Sequence, residues 1–113
     1  MHEMSLCEGI LQVLENSAVQ QNFQRVKSVW LEVGQLAAVE KSALSFCFDA
    51  VTRGSLAENA RLEIIEIPAT AWCLQCAQVV TIEQRFDACP HCHSHQLQLT
   101  AGDELKIKEL EVE

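Results

Sequence analysis

The chain has 113 residues, with 16 Asp+Glu against 8 Lys+Arg, and 49% of its residues are hydrophobic. A net charge of −8 gives no attraction to a phosphate backbone or an anionic membrane surface, and 21% charged residues suit a packed globule better than a disordered tail. No apolar run approaches the roughly 18 residues of a membrane span, and the opening Met1-His2-Glu3-Met4-Ser5 lacks a signal peptide's basic stretch, so the chain is expected in the cytoplasm, on neither nucleic acid nor membrane.

Ser5 and Glu8 have the spacing of a capping box, and Cys7, Ile10, Leu11, Leu14 and Ala18 recur at helical intervals, which predicts a helix from Ser5 to Asn22. Val26 to Gly34 is rich in β-branched residues, with Val29, Leu31 and Val33 on one face, and reads as a strand that ends at the glycine. From Val39 the period turns helical again. Leu44, Cys47, Phe48 and Val51 form the stripe, and Arg53-Gly54 supplies the stop. Arg61 to Ile67 is a second strand, closed by Pro68; its apolar residues touch both faces. Glu104 to Val112 is a third, in which the alternation of Leu105 and Ile107 shifts phase to Leu110 and Val112, as a bulge near Lys108-Glu109 would produce.

Between the last two strands lies a segment of another kind. Cys73-Leu74-Gln75-Cys76 and Cys89-Pro90-His91-Cys92 form two Cys-x2-Cys pairs separated by twelve residues, a spacing at which four thiolates converge on one tetrahedral ion. Zinc is the expected metal; iron in the same cage and disulfides are the alternatives, and a reducing compartment disfavours the disulfides. About thirty residues with little apolar content are too few for a core of their own, so the metal must supply the folding free energy, of the order of 10 kcal/mol in zinc-finger peptides. The expected fold is therefore α+β: a small mixed three-stranded sheet with two helices, from residues 1–68 and 101–113, and an inserted four-cysteine zinc-ribbon or rubredoxin-like module at residues 69–100. Pro68 and Gly102, at its two ends, should lie close together. The remaining cysteines, Cys7 and Cys47, fall on apolar helical stripes and read as core.

Zinc ribbons often bind nucleic acid, but this segment has one base, Arg85, against Glu83 and Asp87, and only Trp72 and Phe86 as aromatic residues. It offers neither the cations nor the stacked rings such a surface needs. Four thiolates also fill the coordination sphere and leave no place for a catalytic water. No nucleophile–base set is recognisable elsewhere, so the chain is not expected to be an enzyme. His91, His93 and His95 surround Cys92, and His93 and His95 are candidate auxiliary metal ligands.

The opening residues offer a second kind of site. In a chain that begins Met1-His2, the α-amine, the amide nitrogen of His2 and its imidazole Nδ1 can chelate one ion in a nearly planar arrangement. Ni(II) and Cu(II) favour such tetragonal nitrogen sets, whereas Zn(II) prefers a tetrahedron. Glu3 could add an oxygen.

The Met1-His2-Glu3-Met4-Ser5-Leu6 start, Trp30-Leu31-Glu32-Val33-Gly34, Val39-Glu40 followed by Leu44, Phe46 and Phe48, and the Cys73/Cys76/Cys89/Cys92 cage together resemble the HypA/HybF family of hydrogenase nickel-incorporation proteins. The likeness runs along the whole chain. It implies a metallochaperone that delivers Ni2+ to the large-subunit precursor of [NiFe] hydrogenase together with the GTPase HypB, and a fold in which an α/β nickel-binding domain carries a separate zinc domain. Carried over, the nickel ligand falls on His2, with Met1 and Glu3 adjoining, and the structural Zn2+ on Cys73, Cys76, Cys89 and Cys92. The reading from another class is a zinc-stabilised adaptor that binds proteins and carries no transferable metal.

Overall fold

The computed structural model describes residues 3–113. Eight elements follow in order: α1 (Glu3–Gln21), β1 (Val26–Gly34), α2 (Lys41–Thr52), β2 (Arg61–Ile67), β3 (Ala69–Cys73), β4 (Gln78–Ile82), β5 (Leu97–Ala101) and β6 (Leu105–Val112). They make two three-stranded sheets, ordered β2-β1-β6 and β4-β3-β5. In the first sheet Gln35 N–H donates to Ile67 O (2.8 Å) where β1 and β2 both end, which makes them parallel. Gly34 N–H donates to Glu104 O (2.8 Å) and Glu113 N–H to Arg25 O (2.9 Å), so the end of β1 meets the start of β6 and the two run antiparallel. The sheet is therefore mixed, as the α+β reading requires.

The chain divides into two compact units. The first comprises the described residues through Leu31, with Val39–Ile64 and Ile107–Glu113; the second comprises Glu32–Ala38 and Ile65–Lys106. The second unit is thus larger than residues 69–100. It takes in the loop after β1 because Leu36 packs against the cluster of Ala69, Ala71, Cys73, Val80, Ile82 and Cys89.

In the first unit α1 buries Cys7, Ile10 and Leu14, α2 buries Leu44, Phe48 and Thr52, and β1 buries Val26, Ser28, Val29 and Leu31. Asn22, at φ 57°, adopts the left-handed conformation that closes α1, and Gly54 (φ 75°) stands just beyond the C-cap Arg53 of α2. The Ser28 hydroxyl donates to Glu111 Oε1 (3.0 Å) and ties β1 to β6. Two details differ from the sequence reading. Helix α1 already includes Glu3, so Ser5 and Glu8 lie within it and form no capping box. Cys47 is only half-buried, because the sequestered face of α2 narrows to Leu44, Phe48 and Thr52 at strict i, i+4, i+8 spacing. On β6, Lys108 and Glu109 are both exposed between half-buried Ile107 and Leu110, which is where the phase shifts.

In the second unit the two ends of the Cys-rich segment meet through glycine. A Cβ on Gly34 would stand 2.3 Å from the carbonyl carbon of Gly102, and one on Gly102 would stand 2.8 Å from Pro68 O. Gly102 also has φ +100°, so both contacts and conformation require glycine there.

Candidate metal centre

Strand β3 is the hub of the second unit. It pairs antiparallel with β4 (Ala71 opposite Val80, Cys73 opposite Gln78) and with β5 (Ala71 opposite Leu99, Cys73 opposite Leu97). Its alternation buries Ala69, Ala71 and Cys73 and turns Trp72 outward. The first Cys-x2-Cys begins as β3 ends, and the second lies in the loop between β4 and β5.

The two pairs are folded alike. Ala77 N–H donates to Cys73 O (2.8 Å) and His93 N–H to Cys89 O (2.9 Å). Cys76 N–H reaches Cys73 Sγ and His91 N–H reaches Cys89 Sγ, each at 3.4 Å. The residue after each second cysteine, Ala77 (φ 55°) and His93 (φ 64°), is left-handed. Such a turn bends the chain so that both sulfurs and the intervening amides face one point. His93 therefore serves the centre through its backbone, and its side chain is exposed.

The sulfurs of Cys73, Cys76, Cys89 and Cys92 all lie within 4.8 Å of one another. Cys73 and Cys92 are 3.6 Å apart and Cys76 and Cys89 3.9 Å. A tetrahedral Zn–S bond of about 2.3 Å demands S···S edges of about 3.8 Å, so the cage has the dimensions of a zinc site. The thiols are also unequal. Backbone N–H groups, first that of Cys92 and then that of His91, hold Cys89 down at about 6. The Cys92 thiol, burial and the remaining cage sulfurs push Cys76 up to about 12. Four sulfurs this close cannot all be anions without a cation among them, and a divalent ion removes that conflict. His93 and His95 are not brought into the group, which among the described residues is cysteine alone.

Of the other expected site residues, Met1 and His2 lie outside the described residues, and Glu3 opens α1. The Glu3 carboxylate accepts the Glu40 N–H (3.4 Å), which links the start of α1 to the start of α2. Glu40 is the residue whose role sequence reasoning passed over. It is the N-cap of α2, with Oε1 accepting from Ser42 N–H (3.2 Å) and Oε2 from Ala43 N–H (2.6 Å). Those bonds hold its carboxyl below the usual glutamate range. The signal was an acidic residue directly before the periodic run. Cys7, by contrast, is a core thiol: burial, then the nearby Cys47 and Glu3, push it up to about 11, and its Sγ lies 3.5 Å from Leu44 O. Among the described residues no helix is long and apolar enough to cross a membrane.

Residues 1–112 match the family model described as "Hydrogenase/urease nickel incorporation, metallochaperone, hypA". The chain is 66% identical to the hydrogenase maturation factor HypA of Azotobacter chroococcum mcd 1 and 55% identical to that of Rhodopseudomonas palustris (strain BisA53), in each case over all of both chains. The solution structure of the Ni metallochaperone HypA from Helicobacter pylori superposes with a TM-score of 0.74 at 25% identity, covering 99% of this chain and 97% of that one.

Proposed function

The chain belongs to the HypA family of nickel-incorporation metallochaperones, and on that premise we propose that it binds Ni(II) at His2 and delivers it to the large-subunit precursor of a [NiFe] hydrogenase, with the GTPase HypB as partner and the cytoplasm as its compartment. The family match over residues 1–112 carries this reading. Zn(II) is the resident ion, held by Cys73, Cys76, Cys89 and Cys92; it neutralises the four thiolates and fixes the Cys-rich loops, and a filled sulfur sphere leaves it no part in catalysis.

Nickel is cargo, and its proposed site is of the opposite kind. An unblocked Met1 amine, the His2 amide nitrogen and the His2 imidazole supply a planar nitrogen set that selects Ni(II) over Zn(II) by geometry. Glu3, anchored by the Glu40 N–H, adds a carboxylate at a defined place on α1. Few side-chain ligands make the ion exchangeable. Protonation of the imidazole below an unperturbed pKa near 6.5 weakens the chelate, and a recipient offering thiolates can then take the metal.

Calorimetric titration of Ni(II) into zinc-loaded protein tests the reading. His2→Ala should abolish nickel binding and leave one equivalent of zinc. Residues added before Met1 should weaken nickel binding with His2 intact, since they replace the amine by an amide. Nickel affinity undiminished in His2→Ala would overturn the assignment, and protein that holds zinc but no nickel would leave the adaptor reading in its place.

A further inference from the structure

All six cysteines are free thiols, and the cage takes four of them. The other two, Cys7 on α1 and Cys47 on α2, belong to the first unit and meet where its helices pack. Cys7 Sγ lies 3.5 Å from Leu44 O. A helical carbonyl points toward the following turn, and the side chains three and four residues on lean back over it. On α2 those side chains are Cys47 and Phe48, so the carbonyl that Cys7 touches marks the rim from which Cys47 rises. The two thiols are close enough that Cys47, after burial, is the next cause of the raised Cys7 pKa. One turn before Cys7, the Glu3 carboxylate accepts the Glu40 N–H (3.4 Å) and fixes the start of α1 against the start of α2.

Access divides the pair. Cys7 is 0% exposed, whereas Cys47 is partly open to solvent. Burial pushes the Cys7 thiol up to about 11, so it stays protonated at neutral pH and out of reach of dissolved reagents. A small oxidant therefore meets Cys47 first. Redox-sensing cysteines combine an accessible thiol with a second thiol poised to resolve it, and this pair supplies one of each.

We propose that Cys47 is a site of reversible oxidation by a small hydroperoxide, and that Cys7 resolves the product into a disulfide that staples α1 to α2. The Cys47 sulfur attacks one peroxide oxygen, the O–O bond breaks, and the other oxygen departs with the thiol proton as water or an alcohol, leaving a sulfenic acid. The Cys7 sulfur then attacks the sulfenic sulfur. The S–O bond breaks, and the hydroxyl leaves as water with the Cys7 proton. Two thiols are oxidised and one peroxide is reduced, a two-electron exchange. The disulfide stops oxidation short of the irreversible sulfinic acid, and a thiol reductant restores both cysteines. A reducing compartment keeps such a pair open until an oxidant appears. The site is independent of the nickel reading.

Treating the zinc-loaded, full-length chain with hydrogen peroxide, at a dose that leaves its zinc bound, and mapping tryptic peptides without reductant tests the proposal. Cleavage after Arg25, Lys41 and Arg53 leaves Cys7 as the only cysteine of residues 1–25 and Cys47 as the only one of residues 42–53. The two peptides should be recovered joined, from monomeric protein, and dithiothreitol should part them. In Cys47→Ala the oxidation of Cys7 should slow about tenfold or more. In Cys7→Ala, dimedone added with the peroxide should label Cys47, because its sulfenic acid is no longer resolved. The proposal is overturned if the two peptides stay unlinked, if Cys47 is joined to a cage cysteine or to a second chain, or if Cys7 is oxidised as fast in Cys47→Ala as in the parent. The peptide map of the parent chain decides even where a variant does not fold.

Discussion

The first unit buries Leu14, Leu31, Leu44 and Phe48 completely or nearly so, whereas the buried cluster of the second is Ala69, Ala71, Cys73, Val80, Ile82 and Cys89. Full burial of one large aliphatic or aromatic side chain stabilises by about 1.5–3 kcal/mol, and alanine contributes far less. The second cluster has only Val80 and Ile82 of that size, and two of its six members are cage cysteines. One region is thus held by side-chain volume and the other by a cage that must be charged to hold. The difference accords with the proposed roles of the two metals. A resident ion belongs where it substitutes for a core, and an exchangeable one where the fold does not depend on it.

The largest effect should come from breaking the cage. Replacing Cys76 with Ser, or removing zinc with a chelator, should cost the second unit roughly the 10 kcal/mol that structural zinc supplies, enough to unfold β3, β4 and β5. Both helices, 19 and 12 residues long, lie in the first unit, so the 222 nm ellipticity should persist. The tryptophans separate the units further, since Trp30 belongs to the first and Trp72 to the second. In single-tryptophan variants the emission intensity and anisotropy of Trp72 should change on zinc loss while those of Trp30 stay. Simultaneous collapse of both would break the comparison, and the two units would have to be one cooperative whole.

The converse change is smaller. Phe48 is 1% exposed on α2, and Phe48→Ala leaves a cavity whose cost in well-packed cores is about 3–5 kcal/mol. Urea unfolding followed by ellipticity should show the free energy of unfolding lowered by that amount, with the midpoint moved to lower urea accordingly, while one zinc per chain is retained in native buffer. Loss of zinc from the folded variant would show that the cage leans on the first unit's core.

The sequence announced these two regions with unequal clarity. β1 and β2 were legible to their ends because β-branched runs stop at Gly34 and Pro68, and the cage was legible because covalent spacing alone brings Cys-x2-Cys sulfurs together. β3, β4 and β5 were not, since five-residue strands such as Ala69–Cys73 carry too little alternation to stand out. The start of α1 was misjudged for a related reason. Ser5 and Glu8 matched a cap by type, but the helix already includes Glu3, whose carboxylate bonds to Glu40 N–H, a contact 37 residues away that no local pattern reports.

Glu40 gives the smallest and most specific effect. Its carboxylate accepts two N–H groups at the first turn of α2, where the helix dipole also favours an anion, and the bond from Ala43 N–H is the chief cause of its lowered pKa. A carboxyl whose folded pKa lies below its unfolded value stabilises the fold above that unfolded value, 4.5, and the contribution is lost as pH falls through the folded pKa. Glu40→Gln keeps an acceptor but removes the charge. At pH 7 it should speed amide exchange at Ser42 and Ala43 and lower the melting temperature of the first unit by a few degrees, about 2–4 °C. As pH falls from 4.5 through the lowered folded pKa the variant and the parent should converge, because the parent's carboxyl is progressively protonated. The cysteine cage should be unaffected at pH 7, with zinc affinity equal in the two proteins. A gap in melting temperature that stays constant from pH 7 to pH 3 would mean that shape and not charge holds the cap. A parallel loss of zinc at pH 7 would mean that the first turn of α2, and not only burial beneath it, supports the second unit.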